Sequence, residues 1–146
     1  MDQKWIVTIS EDNLQKTLQH NLIGLPERRR NLLKRVQQGD VVVFYIGKKR
    51  VGRGGPGASV SQFGPVAKVT GEEFASDTPI WASKGNDLFR SRLPISIVSE
   101  GRVAAAIVIP HLDFVQNKDK WGLYFLTGIR KVSEEDYKTL LTAIKK

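Results

Sequence analysis

Val41-Val42-Val43-Phe44-Tyr45-Ile46 is one of the two longest apolar runs in this chain of 146 residues. It follows Gln38-Gly39-Asp40, a group of residues that favours a turn. A short and continuously apolar run after a turn is typical of a strand that is buried on both faces. We therefore predict a central β-strand here and work outward from it in both directions.

On the N-terminal side, Lys4 to Ser10 is rich in β-branched and aromatic residues and predicts a first strand. Ser10 can cap a helix that runs through Leu14 and Leu18. Gly24-Leu25-Pro26 ends that helix, and Pro26 suits the first turn of a second one. The second helix has an apolar stripe made of Leu32, Leu33 and Val36.

On the C-terminal side, Gly47 to Gly64 is rich in glycine and proline without periodicity and predicts a mobile loop. Strands are predicted at Pro65 to Thr70 and at Leu93 to Ser99. The segment from Gly101 to Ile109 fits either a strand or a short helix, and Pro110 is expected to end it.

The last part of the chain predicts a strand within Trp121 to Val132 and then a helix that Ser133 opens as a capping box. One face of this helix carries Tyr137, Leu140, Leu141 and Ile144 at the spacing of an amphipathic helix. Strands, short early helices and a terminal helix predict an α+β fold with a mixed barrel. With no internal repeat or linker, residues 1–146 are expected to form a single domain.

Composition excludes several classes of site. The chain has no cysteine, which excludes disulfides, thiolate nucleophiles and cysteine-based zinc sites. Neither His20 nor His111 has a second type of ligand at metal spacing, so we expect no metal and no cofactor. The longest apolar runs are too short for a membrane span, and no secretory leader is recognisable. We expect a soluble, cytoplasmic protein.

The charge is concentrated in one part of the chain. The formal net charge is +8, and the segment from Glu27 to Arg53 holds nine basic residues against two acidic ones. Clustered cations favour a polyanion, because neutralising phosphates releases counterions; a solvated basic face is the alternative. The candidate phosphate-binding residues are Arg28, Arg29, Arg30, Lys34, Arg35, Lys48, Arg50 and Arg53.

Two glycine patterns look like nucleotide-binding motifs but lack their context. Gly52 to Gly57 spells G-x-G-x-x-G, but Pro56 and the absence of a following helical pattern argue against a dinucleotide site. Gly47 to Gly52 has the P-loop spacing, but Arg53-Gly54 stands where Lys-Ser/Thr is required. A basic loop that settles on phosphates and a plain hairpin tip both remain open.

Several segments in order resemble the EVE family of PUA-like modules. The N-terminal half of that family is similar to Trp5-Ile6-Val7, Leu22 to Arg28 and Gly39 to Tyr45. The C-terminal half is similar to Phe114 to Trp121 and to Ile129 to Tyr137. The resemblance implies a PUA-like pseudo-barrel of mixed strands with short helices and a C-terminal helix, related to YTH domains.

The resemblance also implies a pocket for a modified base of DNA or RNA. Trp81 stands where related modules place a cage tryptophan, although a core tryptophan is the alternative. Asn13 and Ser10 match polar pocket positions, and Ser10 also fits a plain helix cap. Ile23 departs from the family, since several relatives have tryptophan there. The apolar wall of the pocket is then expected from Ile23, Gly24, Leu25 and Pro26, whereas Phe44, Tyr45 and Trp121 are expected in the core.

We therefore expect a non-catalytic nucleic-acid-binding module that reads a modified or flipped base, acting as a monomer without a membrane partner. The nearest alternative is a PUA-like binder of ribosomal or transfer RNA that is indifferent to modification. Two further alternatives are a small nucleotide-acting enzyme that uses His111 or Asp113, and a protein-interaction module with an acidic partner.

Overall fold

The fold is an α+β arrangement in which a mixed sheet curls into a half-barrel with helices packed against it. The computed structural model describes residues 2–49, 59–83, 87–115 and 128–145. Its helices are α1 (Glu11–His20), α2 (Arg30–Leu33), α3 (Ala105–Val108) and α4 (Glu134–Lys145). Its strands are β1 (Lys4–Ile9), β2 (Leu22–Gly24), β3 (Val41–Lys48), β4 (Ser59–Val69), β5 (Phe74–Ala75), β6 (Ser91–Ser99), β7 (Val103–Ala104) and β8 (Ile129–Val132).

The described strands are ordered β2-β6-β4-β3-β1-β8, with β5 beside β6 and β7 beside β4. Strand β3 pairs in parallel with β1, where Val7 faces Phe44, and antiparallel with β4, where Val43 faces Val66. Residues 42–46 are all buried, as predicted. Because strand side chains alternate between faces, this run needs cover on both sides of the sheet.

The two faces of the sheet pack into two separate cores. Val42, Phe44 and Ile46 belong to the core that also contains Leu14 of α1 and Leu33 of α2. Val43 and Tyr45, which alternate with them along β3, belong to the core on the other side of the sheet. That core also contains residues of α3 and α4, such as Val108, Leu140 and Ile144. The predicted core positions of Phe44 and Tyr45 are therefore confirmed.

The predicted loop from Gly47 to Gly64 is wrong at both ends. Strand β3 continues to Lys48, and β4 begins at Ser59, where the two strands still pair. The polar residues of this part of β4 carry no strand signal, but the ladders to β3 and β7 stabilise them. Register shifts and a positive φ of 52° at Ser61 accompany the irregular pairing. The glycine-rich centre, 50–58, lies outside the described residues.

The second helix is shorter than predicted. A 3₁₀ turn at Glu27–Arg29 precedes α2, which ends at Leu33. The chain must turn here into β3, and the buried carboxylate of Asp40 fixes that turn by accepting the backbone N–H of Gln37 at 2.9 Å. Leu33 and Val36 of the predicted stripe are nevertheless buried.

The ambiguous segment contains both structures that its sequence allows: β7 is followed directly by α3. Helix α3 ends at Val108, one residue before the predicted end at Ile109. Pro110 lies near the start of a separate 3₁₀ turn, Ile109–His111, that follows directly. Proline is tolerated there because the first turn of a helix leaves backbone N–H groups without intrahelical partners.

The C-terminal predictions agree with the structure where it is described. Strand β8 lies in the predicted range, whereas 121–127, including Trp121, lie outside the described residues. Helix α4 starts after Ser133, whose Oγ accepts the backbone N–H of Asp136 at 3.1 Å. None of the helices in the described ranges is both long and apolar enough to cross a membrane.

Candidate nucleic-acid interface

Trp81 lies at the centre of a buried cluster, here called the Trp81 cluster, that also contains Thr17, Gly24, Phe89 and Arg92. Only 8% of its surface is exposed, and its indole Nε1 donates a hydrogen bond to Thr17 Oγ1 at 3.0 Å. Thr17 is fully buried on α1, so the bond is protected from water. The indole N–H usually needs such a partner when a tryptophan is buried, and this contact spans 64 residues of sequence.

One side of the Trp81 ring rests on the backbone of Gly24. A Cβ built on Gly24 would lie 2.5 Å from Cζ3, 2.8 Å from Cη2 and 3.0 Å from Cε3 of the ring. Three contiguous ring atoms at such similar distances place Gly24 over the ring rather than at its edge. The glycine is required here because any side chain would occupy the space of the indole.

Arg92 contributes a charge beside the same ring. It is paired with Gly24 across β2 and β6, and residues that face each other in an antiparallel pair point to the same side of the sheet. Its guanidinium carbon lies 5.1 Å from the Trp81 ring centroid. The Arg92 side chain donates to the backbone carbonyls of Phe89 and Leu88 at 3.0 and 3.1 Å and to that of Thr78. Burial lowers the pKa of Arg92.

Phe89 covers the cluster and was missed by the sequence analysis. Its ring is stacked on that of Trp81, with centroids 5.8 Å apart and an interplanar angle of 26°. Its backbone has φ of 52°, a conformation that is strained for a bulky residue. The carboxylate of Asp87 accepts the backbone N–H of Phe89 at 2.9 Å and so holds this turn.

Asn13 anchors the segment that carries Trp81. Its Nδ2 donates to the carbonyl of Ala82 at 2.9 Å, and its Oδ1 accepts the Ala82 N–H at 2.8 Å. A side-chain amide has two N–H donors and two acceptor lone pairs. Within the described residues, Ala82 therefore uses one donor and one acceptor of the Asn13 amide, which leaves one of each.

Ser10 is buried at the start of α1, where the sequence predicted a helix cap. It occupies the N-cap position, but its side chain makes no capping bond. Instead, Ser10 Oγ donates to the carboxylate of Asp12, which also accepts the N–H of Asn13 at 2.8 Å. Ser10 thus belongs to a polar turn that precedes the Asn13 amide.

The four residues expected to form an apolar wall are placed differently from one another. Gly24 lies under Trp81, whereas Ile23 and Leu25 are almost fully buried in the core beside α1 and α2. Pro26 is half-buried at the start of the 3₁₀ turn. The structure therefore brings Gly24, Trp81 and Asn13 together, and it leaves Pro26 as the most exposed member of the wall.

The basic residues of the 3₁₀ turn, of α2 and of the two positions after it form a mainly exposed segment, here called the basic segment (residues 28–35). Arg28, Arg30, Lys34 and Arg35 are exposed, and Arg29 is half-buried. Arg30 lies 3.6 Å from the Glu27 carboxylate, and the Arg35 guanidinium lies 5.8 Å from the Trp5 ring. Of the other candidate phosphate ligands, Lys48 is half-buried at the end of β3, and Arg50 and Arg53 lie outside the described residues.

Asp87 joins the basic segment to the Trp81 cluster. While one carboxylate oxygen accepts the N–H of Phe89, the other accepts the backbone N–H of Glu27 at 2.9 Å. Glu27 immediately precedes the basic segment in the chain. Neither the sequence spacing nor local propensity indicates this contact, which spans 60 residues.

The family model described as the EVE domain matches residues 3–143, and the chain belongs to that family. A UPF0310 protein of Pyrococcus abyssi is 31% identical over 138 residues, covering 93% of this chain and 95% of the relative. The fold is similar to that of the YTH domain of the Zygosaccharomyces rouxii MRB1 protein, solved in complex with N6-methyladenosine RNA. That likeness has a TM-score of 0.69 at 13% identity and covers 99% of this chain and 87% of the other. The Pho92 YTH domain, solved in complex with m6A, has a TM-score of 0.66 at 10% identity and covers 99% and 84%. The predicted family and PUA-like fold are confirmed.

Proposed function

We propose that this EVE domain protein is a non-catalytic module that binds RNA or DNA and takes one modified or flipped base into the Trp81 cluster. The observation that carries the proposal is the Asp87 bridge. A single carboxylate holds both the turn that covers Trp81 and the start of the basic segment. When a nucleic-acid strand places its phosphates on the basic segment, a neighbouring base is therefore within reach of the buried Trp81 ring.

The basic segment supplies the phosphate contacts of the proposal. Arg28, Arg29 and Lys34 have no ion-pair partner among the described residues, so their charges are available to a polyanion. Such contacts give affinity without sequence preference and make it dependent on salt.

The Trp81 cluster supplies the base contacts. Gly24 lies against the ring, the Arg92 guanidinium lies 5.1 Å from its centroid and Phe89 is stacked on it, so a base has to displace part of this cluster to reach Trp81. Under the proposal Phe89, whose ring centroid lies 5.8 Å from that of Trp81, moves aside to admit the base. The remaining donor and acceptor of the Asn13 amide can then bond the edge of the base.

The solved relatives support the same proposal. Two YTH domains of similar fold were solved with N6-methyladenosine RNA or m6A. A flipped base needs an aromatic or apolar surface on its π-face and a few polar groups on its edge, and Trp81 and Asn13 offer this combination.

One observation favours a second candidate, a nucleic-acid binder that is indifferent to modification. Trp81 and Phe89 each expose only 8% of their surface, and the Trp81 indole N–H is bonded to Thr17. In that alternative the cluster is a packing unit of the fold, and the basic segment alone binds the strand.

Two matched tryptophan variants separate these candidates. Trp5 and Trp81 are both buried, and each donates its indole N–H to a side-chain oxygen at 3.0 Å, that of Asp40 and of Thr17 respectively. Trp5→Phe and Trp81→Phe thus remove equivalent groups at different places. The measurement is the affinity of each folded variant for RNA and DNA strands that carry one central N6-methyladenine or adenine.

Under the proposal, Trp81→Phe lowers the preference for the modified strand, whereas Trp5→Phe leaves it unchanged. Base stacking is worth roughly 1–3 kcal/mol per base. Replacing the indole with the smaller phenyl ring should remove part of this stacking energy. Equal weakening of both strands by Trp81→Phe would leave the general binder as the function.

A further inference from the structure

Arg92 is a fully buried arginine next to the Trp81 ring. It exposes only 1% of its surface and is among the largest fully buried side chains of the described residues. Among the described residues, its hydrogen-bond acceptors are the backbone carbonyls of Thr78, Leu88 and Phe89. Among the described residues, no carboxylate lies within ion-pair distance of its guanidinium.

The positive charge of Arg92 persists at neutral pH. Burial lowers its pKa and the charge of Asp77 raises it, and the ordinary value of an arginine lies far above neutrality. Asp77 itself is highly exposed and pairs with Arg90 at 2.7 Å. The Asp87 carboxylate is bonded to two backbone N–H groups. The carbonyl dipoles around Arg92 solvate its charge but do not cancel it.

An aromatic ring without such a neighbour attracts cations to its face. A pocket built on tryptophan alone would therefore favour methylated bases that carry a fixed positive charge. Here a guanidinium already lies 5.1 Å from the centroid of the Trp81 ring. A second cation stacked on the ring would be repelled by that charge.

We infer that Arg92 makes the Trp81 site selective for neutral modified bases and against cationic ones. The inference rests on the proposed function, because it requires a base to reach Trp81, and it narrows the ligand to one chemical class. Methyl groups on exocyclic nitrogens or on carbon leave a base neutral. Methylation of a ring nitrogen that would otherwise be a lone-pair acceptor creates the excluded cation.

The size of the effect follows from the distances. Stacked aromatic rings have centroids about 5 Å apart, and the Arg92 guanidinium lies 5.1 Å from the Trp81 centroid, so a stacked base lies at most about 10 Å from that charge. Two unit charges at that separation, with an effective dielectric constant of about 20, weaken binding roughly 15-fold.

Pairs of bases that carry one methyl group at different positions test the inference, because at neutral pH one member of each pair is neutral and the other is protonated and cationic. The probes are single-stranded RNAs with one central N6-methyladenine or its cationic isomer 1-methyladenine, and one central 5-methylcytosine or its cationic isomer 3-methylcytosine. We expect the wild-type protein to bind the neutral member of at least one pair more tightly than the cationic member, by roughly 15-fold.

Two substitutions assign that preference to the charge. Arg92→Gln removes the charge but keeps N–H donors for the surrounding carbonyls, whereas Arg92→Lys keeps the charge. The neutral-to-cationic affinity ratio should fall by roughly 15-fold in Arg92→Gln and stay close to the wild-type value in Arg92→Lys. The change in the ratio matters, because the isomers also differ in hydrogen bonding. If Arg92→Gln does not fold, Arg92→Met serves as the neutral variant.

The outcomes separate this inference from the function on which it rests. If all modified and unmodified strands bind the wild type alike, no base reaches Trp81 and the proposed function fails with the inference. If a modified base is preferred but the cationic isomers bind as tightly as the neutral ones, the function stands and the inference is overturned. A preference for neutral bases that Arg92→Gln retains also overturns it.

Discussion

Replacing Gly24 with alanine should disturb the Trp81 cluster from beneath without altering any group that a ligand could contact. The new methyl would lie 2.5 Å from Cζ3 of Trp81, well inside the contact distance of two carbon atoms. The φ of Gly24 is not in the left-handed region, so the cost is steric rather than conformational. Overpacking of a well-packed site costs about 1–3 kcal/mol.

Two controls make the Gly24→Ala prediction specific. In Gly71→Ala the new methyl would lie 2.9 Å from the Pro94 side chain, which is a comparable steric insertion away from Trp81. In the background of Trp81→Leu, the smaller side chain should relieve the clash. Gly24→Ala should then cost at least about 1 kcal/mol less than it does in the wild type, as expected for residues that touch each other.

The measurement is denaturant unfolding of the four proteins in the Gly24 and Trp81 cycle. An equal cost of Gly24→Ala in both backgrounds would refute the packing of the ring on Gly24. Under the proposed function, Gly24→Ala also lowers the preference for a modified base, because the ring must shift, whereas Gly71→Ala leaves that preference unchanged. A folded Gly24→Ala with the wild-type preference would argue against Trp81 as the base-binding surface.

Three further predictions concern other parts of the molecule. Alanine at all of Arg28–Arg30 should flatten the dependence of log K on log salt by about 0.7–0.9 for each phosphate that the variant no longer neutralises; an unchanged slope in titrations at several salt concentrations would move the phosphate site elsewhere. Ser133→Ala removes the acceptor of a backbone N–H at the start of α4 and should lower the free energy of unfolding by about 1 kcal/mol with unchanged affinity. The Arg102 guanidinium, bonded to Glu11, lowers the pKa of that carboxyl from 4.5. The pair therefore stabilises the fold above that value and loses its contribution as the pH falls through the lower folded pKa; Arg102→Met should reduce the loss of stability in acid, and identical acid profiles would show that the pair contributes nothing.

The elements that the sequence predicts well are those whose signals are local. Residues 42–46 require cover on both faces whatever surrounds them, and Ser133 followed by three acidic residues starts a helix by itself. Ser59 to Gln62 were missed because polar residues join a strand only through pairing with β3 and β7. Local propensity is overridden there by contacts distant in sequence.

The candidate site divides in the same way. The family resemblance brought Trp81, Asn13 and Gly24 into one hypothesis, and the structure places them together. Phe89 and Arg92 were missed because nothing in their local sequence indicates a positive φ or a guanidinium next to a tryptophan 11 residues earlier. An arginine in a strand is expected to be exposed until its buried carbonyl partners are known.

The basic segment and the Trp81 cluster differ in how much they contribute to the stability of the fold, and this difference separates affinity from selectivity. The basic segment is exposed, so its side chains can be changed with little effect on the fold. The Trp81 cluster is buried, and each of its contacts also stabilises the protein, because Thr17, Gly24 and Arg92 hold the ring from different elements. A change in the cluster should therefore alter selectivity and stability together, whereas a change in the basic segment should alter affinity alone. Under the proposed function, moving Phe89 aside also exposes the Trp81 ring, so part of the stacking energy of a base is consumed in opening the cluster. A base that stacks weakly cannot offset this cost, and the covered ring itself thus contributes to the selectivity of the site.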